Sequence, residues 1–565
     1  MSLRKILTVI FILAISLRLL YFKDSLTFFY DQGRDALAAM EIWQGDPVKI
    51  IGPQTDFLGL YHGPLYWYLI SPFYYLSGGS VWMVRLFLIF LNCVSLFFIY
   101  DLTKDLFNKK NIALLAAFLF AISFEAIAYA RWLSNPAPAL LTTTISFWSL
   151  YKLIKGKSWA LITLAVSWGL SIQFQLFLIY QILVFLIIWV FIKGFKPPKV
   201  SIKTYIYSII GFLATVSTYI ASEIKFNLQG TKVLINFFKT RSFPETNFIK
   251  IMEGYLNKIV NAFSLNIWGL NIFLAGLGIL VTLYFSLYYI KNKEKRGEII
   301  FLLCWILSPI FIVFFNGPNA HFITLGILPG VIILTSYLLY DVLLAKGDSL
   351  RRTTYQRSIH PRHKWRGFLE CCYKLKTKKT IFFVVVMLLI ISGNLNLILS
   401  KNKEGDTLFT VQKQMIIGDE LKIVDWVYKE AQGEHFRLNT ITYPLFINST
   451  WAYLFNWYGG KTYGYMPYWW GETQVDVPGS NVIWSDDGGN DWLFLIIEPS
   501  STGNDTWEKA IKLLEDTRSV TVKKENIGYF TVEKRRITNP ERIYTSSDVF
   551  FVIKNTNINV LQQTK

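Results

Sequence analysis

Cysteine is scarce in this chain, four in 565 residues, and its placement is uneven. Cys93 and Cys304 lie inside apolar runs, and Cys371 and Cys372 lie in a basic stretch. None falls in the long polar tail after residue 400, which excludes a disulfide framework for that tail. Acidic residues are also few: 38 Asp and Glu against 57 Lys and Arg leave a formal net charge of +19. Such an excess can signal nucleic acid, but here the basic residues alternate with apolar runs of membrane-spanning length, so no nucleic-acid partner is expected. No small-residue cleavage site follows the N-terminal "MSLRKILTVIFILAISLRLLYF", and the segment reads as a retained first helix rather than a removed signal. No internal repeat or low-complexity tract is visible.

Hydrophobic residues, by contrast, are abundant. At 53% of the chain, with 17% aromatic, they exceed what a soluble globular protein carries, and the chain reads as a polytopic α-helical membrane protein set in a lipid bilayer. Apolar runs predict about eleven transmembrane helices: 5–22, 81–101, 112–130, 138–154, 158–175, 177–193, 205–222, 268–290, 299–315, 322–341 and 380–399. With the N-terminus cytoplasmic, the inside segments hold about 27 Lys and Arg and the outside segments before the tail about ten. The inside group includes Lys104, Lys109, Lys110 and about eleven in the loop 342–379. This asymmetry places the first loop and the tail on the outer face of the cell membrane.

The membrane module is therefore 1–399, with long outer loops at 23–80 and 223–267, and the extracytoplasmic domain is 400–565. In the loops, "ALAAMEIWQ" and "VLINFFK" have the spacing of amphipathic helices lying on the membrane surface. The tail alternates helical stretches, "DELKIVDWVYKEAQ" and "DTWEKAIKLLEDT", with strand-like ones, "DWLFLIIEP" and "SVTVKKENIGYFTVEK", which predicts a soluble α/β domain. Its aromatic stretch "WAYLFNWYGGKTYGYMPYWWGE" suits a domain core, a membrane-docked surface or a platform for sugar rings. Cys371 and Cys372 read as ordinary thiols, with lipidation the alternative.

Chemistry-bearing residues gather at the outer ends. In "FFYDQGRD", Asp31 and Asp35 are four apart and share a face if the segment is helical, with Arg34 beside them. Asp35 can equally cap a helix that starts at Ala36 and ends near Gly45. A carboxylate such as Asp31, held at the membrane boundary among aromatics, is costly unless it has work to do. Arg85, Arg131, Lys225 and His321 lie at the same level and form a candidate phosphate site, the alternative being snorkelling or pairing with Glu125 or Glu223.

The order of these features resembles the C-type fold of membrane glycosyltransferases, in particular the prokaryotic relatives of protein O-mannosyltransferases and aminoarabinose transferases. The stretches that carry the resemblance are "FFYDQGRDALAAMEIWQGD", "YHGPLYWYLISPFYYLSGGSVWMVRLFLIF", "ARWLSNPAP" and "FNGPNAHFITLGILPG", within about the first 340 residues. The resemblance implies an inverting transferase that takes a sugar from a polyprenyl-phosphate carrier to a lipid, glycan or protein hydroxyl on the outer face. It implies Asp31 as the catalytic base and Arg34, Asp35, His62, Arg85, Arg131, Asn135, Glu223, Lys225 and His321 as substrate-binding residues. One departure stands out: many relatives place a second acidic residue where this chain has Asn135. A divalent-ion pair is then incomplete unless Glu125, Asp35 or Glu223 substitutes, so no cofactor is required, although oxygen ligands would suit magnesium or manganese. A transporter or flippase of lipid-linked saccharide is the competing reading; it would place polar groups near the bilayer midplane rather than at the outer rim.

Overall fold

A computed structural model describes residues 2–45, 48–55, 58–240, 248–269, 271–293, 295–311, 321–345, 364–405, 408–409, 412, 414–471, 491–500, 506–540 and 544–555, with backbone alone at 321–323 and 364–378. Helix α1 (Leu3–Leu19) starts where the Ser2 hydroxyl accepts the Lys5 N–H. A loop then carries α2 (Tyr30–Glu41) and α3 (Leu65–Leu76). The 27-residue α4 (Val81–Phe107) begins under the Ser80 hydroxyl and stops at Asn108, whose left-handed φ of 52° ends the hydrogen-bond ladder. There follow α5 (Lys110–Ile122), α6 (Phe124–Arg131), α7 (Ala139–Ile154), α8 (Ala160–Phe174), α9 (Gln181–Lys193), α10 (Ile202–Thr215), α11 (Ser217–Lys225), α12 (Gln229–Thr240), α13 (Phe248–Phe263), α14 (Ile272–Lys291) and α15 (Arg296–Ile306). Two more helices, Leu328–Tyr340 and Lys364–Lys401, complete the helical part.

Among the described residues, five stretches are long and apolar enough to cross a membrane: Val81–Phe107, Leu176–Lys193, Ile272–Lys291, Thr324–Leu344 and Lys379–Glu404. The bent pairs α5–α6 and α10–α11, at 55° and 58°, raise the number to seven. The count of eleven drawn from apolar runs is thus met only in part. Every expected run contains helix, but α1, α7, α8 and α15 have only 17, 16, 15 and 11 residues.

The α5–α6 bend shows how a broken span is tolerated. Ser123 leaves helical geometry, and its hydroxyl caps Ala126 N–H at 3.1 Å. Asn394 Oδ1, from the last long helix, accepts the Phe124 N–H at 3.0 Å. Asn266 joins Ser123 to the buried Glu125 carboxylate and also donates to the Ala262 carbonyl. Ser123 and Asn394 therefore satisfy backbone N–H groups that the break releases, and Asn266 satisfies the buried side chains beside it.

The tail folds as the α/β unit that its periodicity predicts. Among the described residues its strands are β1 (Arg437–Ile441), β2 (Tyr468–Trp469), β3 (Trp492–Ile497), β4 (Ser519–Ile527) and β5 (Phe530–Ile537), in the order β2-β1-β3-β5-β4. The first three run parallel, and β5 is antiparallel to β3 and β4. The parallel strands β1 and β3 are almost wholly buried, whereas edge strand β4 exposes Lys523, Lys524 and Glu525, charges that discourage edge-to-edge pairing. The helices Ile417–Ala431 and Thr506–Asp516 fall on the two stretches read as helical.

A single buried core runs from the membrane helices into this tail. Leu26 and Phe28 exchange backbone hydrogen bonds with Ile417 and Met415 at 3.0 Å, and Tyr453 Oη donates to the Gly79 carbonyl at 2.6 Å. The aromatic stretch is used here: Trp451, Tyr453 and Phe455 are buried, and Tyr453 packs on Phe28 with ring centroids 5.2 Å apart. Helix α2 differs from the surface helix expected of "ALAAMEIWQ". Ala36, Leu37, Ala38 and Ala39 are all buried, because α3 covers one side and the short helix Ser449–Leu454 the other. By contrast α12, which holds "VLINFFK", leaves Leu234 and Ile235 exposed.

Candidate active site

Helix α2 begins at Tyr30, not at Ala36. Its entry is fixed by Gln32, whose Oε1 accepts the Phe29 N–H and whose Nε2 donates to the Leu133 carbonyl, both at 3.1 Å. Asp35 therefore lies inside the helix and is not its cap. Asp31, on the first turn, is about a quarter exposed and pairs with Arg34 Nη1 at 2.6 Å. The other side of the Arg34 fork reaches Asp35 Oδ1, with Nε at 3.0 Å and Nη2 at 2.9 Å. Trp67 Nε1, from α3, donates to the same oxygen at 2.8 Å. One guanidinium is thus held between an open carboxylate and a closed one, a geometry that lysine cannot reproduce.

Asp35 is 1% exposed, and its Oδ2 has no hydrogen-bond partner among the described residues. Burial pushes its carboxyl up to about 6; the Asp31 charge adds to this, while Arg34 and the Trp67 N–H oppose it. For Arg34 the two carboxylates outweigh burial, and its pKa is raised.

Beside this pair runs the strap His62-Gly63-Pro64. Burial, with the nearby Arg34 charge, lowers His62 to about 3, so the imidazole is neutral at physiological pH. Its Nδ1 accepts the Leu176 N–H at 3.3 Å, which puts the ring proton on Nε2. Gly63 N–H donates to the Gln173 carbonyl at 3.2 Å, and a Cβ at Gly63 would lie 1.8 Å from Gln173 Oε1, so any larger residue must push that side chain aside. Asn135 Nδ2 donates to the Phe174 carbonyl at 2.7 Å, which brings the "LSNPAP" turn to the same end of α8. Gln175, next along, is buried with both amide atoms unpartnered among the described residues. Asp31, Arg34, Asp35, His62 and Asn135 thus share one neighbourhood.

Glu223 accepts the Thr231 N–H at 3.1 Å and, with His62, Tyr61, Tyr219 and Ser222, lines a cleft of about 290 Å³. Lys225 is exposed on the far side of that turn, over the Phe226 ring. A larger cleft of about 630 Å³ lies between α8, α9 and α10, bounded by Trp168, Trp189 and Lys196. No acidic side chain lines it, so it offers room for a lipid chain and nothing to abstract a proton.

The expected ring of phosphate-binding cations is rearranged. Arg131 is buried and donates to the Leu20 and Asn402 carbonyls at 3.0 Å each and to the Ser25 hydroxyl. Arg85, fully buried, donates to the Phe22 carbonyl and lies 5.0 Å from the Phe22 ring centroid. Both arginines anchor the segment that follows α1, through the Phe22 and Leu20 carbonyls. The His321 side chain, like those of Cys371 and Cys372, lies outside the described residues. Among the described residues no group of three or more His, Cys, Asp or Glu is arranged to hold a metal ion. Arg34 bridges the Asp31 and Asp35 carboxylates.

Sequence reasoning did not identify Trp67, Gln32, Gln173 or Gln175. Gln173 and Gln175 did leave a signal, as amides at the C-terminal end of an otherwise apolar run.

Residues 61–221 match the family described as dolichyl-phosphate-mannose-protein mannosyltransferase. No curated protein matches the chain significantly. Among solved structures the fold is similar to the crystal structure of ArnT from Cupriavidus metallidurans bound to undecaprenyl phosphate, with a TM-score of 0.56 and 10% identity over 93% of this chain and 97% of that one. The family match and the shared fold support the resemblance to C-type membrane glycosyltransferases.

Proposed function

We propose that this chain is an inverting glycosyltransferase that moves a sugar from a polyprenyl-phosphate carrier to an acceptor hydroxyl on a lipid, glycan or protein at the outer face of the cell membrane. The observation that carries this reading is the Asp31–Arg34–Asp35 arrangement at the mouth of the helical bundle, where one carboxylate is open and the other is closed. The similar fold of ArnT, seen with undecaprenyl phosphate, supports a carrier of that class.

In this mechanism Asp31 accepts the acceptor's hydroxyl proton as that oxygen bonds to the anomeric carbon. The bond from that carbon to the carrier phosphate breaks on the opposite side, and polyprenyl phosphate leaves with the bonding electrons. Asp31 then returns the proton to water. Arg34 fixes the direction of the Asp31 carboxylate, and buried Asp35 fixes Arg34. The neutral His62 offers Nε2–H as a hydrogen-bond donor without adding charge. No step in this sequence calls for a metal ion. Arg131, Arg85, Lys225 and His321 remain the cationic groups from which phosphate contacts would be drawn, with Lys225 the most accessible of the described three.

The charge asymmetry and the eleven apolar runs support a multi-pass topology with a cytoplasmic N-terminus and an outward tail. The test is to incubate purified protein with a panel of polyprenyl-phosphate sugars and follow free polyprenyl phosphate. Release that depends on Asp31 supports the reading; lipid-linked sugar crossing a vesicle membrane without release would replace it with transport.

A further inference from the structure

We propose that the tail helix Ser449–Leu454 sets the position of Asp31, making Gly33 and Ser449 positioning residues for glycosyl transfer; this rests on the reading of Asp31 as the base. Helix α2 has 12 residues, too few to hold itself in water, and its first residue follows Phe29, whose side chain supplies no capping hydrogen bond. The position of Asp31 must therefore come from what surrounds its turn. Much of that surrounding is contributed by residues more than 380 positions later.

The seam has three parts. Before the helix, residues 26–28 pair antiparallel with 415–417: Ile417 N–H donates to Leu26 O and Phe28 N–H to Met415 O, both at 3.0 Å, around the bridge Thr27–Ile416. On the first turn, Ser449 Oγ donates to the Tyr30 carbonyl at 2.8 Å, one residue from Asp31. Two residues beyond Asp31, Gly33 lies directly on the Ser449–Thr450 peptide: a Cβ there would sit 2.6 Å from Ser449 C and Thr450 N and 2.7 Å from Ser449 O. All three are backbone atoms and cannot rotate aside. Gly33 has no need of a left-handed conformation inside a helix, where glycine costs about 1 kcal/mol relative to alanine. Close approach is what it provides. Asp31 and Arg34 lie on either side of this contact along the helix, so a shift there moves the base relative to the acceptor. A misplacement of about 1 Å can lower a rate by about 100-fold.

The experiment compares Gly33→Ala, Ser449→Ala and Ser449→Thr with wild type and with Asp31→Asn, in the full-length protein in nanodiscs. Gly33→Ala is expected to lower kcat by about 10- to 100-fold while KM for the donor changes by no more than about two-fold. Ser449→Ala is expected to lower kcat by a smaller factor, and Ser449→Thr, which keeps the hydroxyl, to restore it. A second arm avoids loss of folding as an explanation. T27C/I416C forms a pair opposite each other in the antiparallel bridge, a geometry that a disulfide can span. Added to Ser449→Ala, the oxidised pair should recover kcat relative to its reduced form, with T27C alone unaffected by oxidation. Unchanged kcat in Gly33→Ala, or a loss that tracks the unfolding midpoint and is not recovered by the disulfide, overturns the proposal. If Asp31→Asn itself turns over normally, the reading of the base fails instead, which separates the two outcomes.

Discussion

Asp35→Asn offers a test whose sign is set by burial. The wild-type carboxyl rises from its ordinary 3.8 to about 6 in the folded protein, chiefly because it is removed from water. The folded state therefore holds this proton more tightly than the unfolded chain does. Its contribution to stability is complete at low pH and is lost as pH rises through about 6. At 1.36 kcal/mol per pKa unit the full loss is about 3 kcal/mol, of which about 2 kcal/mol falls between pH 4 and pH 7, because the unfolded carboxyl is already mostly ionised at pH 4. Asparagine keeps an oxygen for Trp67 Nε1 and the Arg34 fork but has no proton to lose. The assay is the unfolding midpoint of both proteins from pH 4 to pH 8, read as a difference curve. Other buried carboxyls, such as Glu498, raised to about 7 by burial, then contribute equally to both and cancel. The variant should gain on wild type as pH rises from 4 to 7 and level off above. A flat difference curve, or one of the opposite slope, would show that Asp35 stays ionised through its contact with Arg34 and would refute the reasoning.

Asp31→Asn should lower turnover by roughly 10² to 10⁴ with donor affinity unchanged, measured by polyprenyl phosphate release and donor titration, while Asp35→Asn is milder. Arg131→Ala should cost about 2 to 5 kcal/mol of stability, because it leaves the Leu20 and Asn402 carbonyls and the Ser25 hydroxyl without their shared donor; wild-type unfolding would assign Arg131 to substrate alone. Gly63→Ala should displace Gln173 and lower activity without changing insertion, and unchanged kinetics would remove the strap from the site. A cysteine replacing exposed Tyr529 should react with an impermeant reagent added outside intact cells, and one replacing Lys199 should not; the reverse pattern would invert the topology.

The elements that sequence alone located are those whose signals are local. The tail helix Ile417–Ala431 buries Ile423, Val424 and Val427 along one face, and β3 is an unbroken apolar strand; such patterns need no knowledge of distant partners. Helix α2 was misjudged because its burial is not local. "ALAAMEIWQ" has the spacing of an amphipathic surface helix, and it becomes enclosed because α3 packs on one side and residues 449–450 arrive against Gly33 on the other. The arginines illustrate the same limit. Arg131 at a helix end reads as an available cation, yet its acceptors include the Asn402 carbonyl, 271 residues away. The carboxylates of "FFYDQGRD" could be flagged from their chemistry, whereas which of them is open and which closed depends on Trp67, on a separate helix.

The break at Ser123 also has a consequence for the order of synthesis. The Phe124 N–H that the break frees is matched by Asn394, and the buried Glu125 by Asn266, so the bent α5–α6 span has no complete set of partners when it first enters the bilayer. Some 270 further residues must be made before the Phe124 N–H finds its acceptor. Until then water, lipid headgroups or the insertion machinery must serve those polar groups, since hydrocarbon cannot. The helical bundle is thus closed by its last membrane helix, and a nascent chain ending short of residue 394 should remain protease-sensitive at the bend, while one a few turns longer becomes resistant.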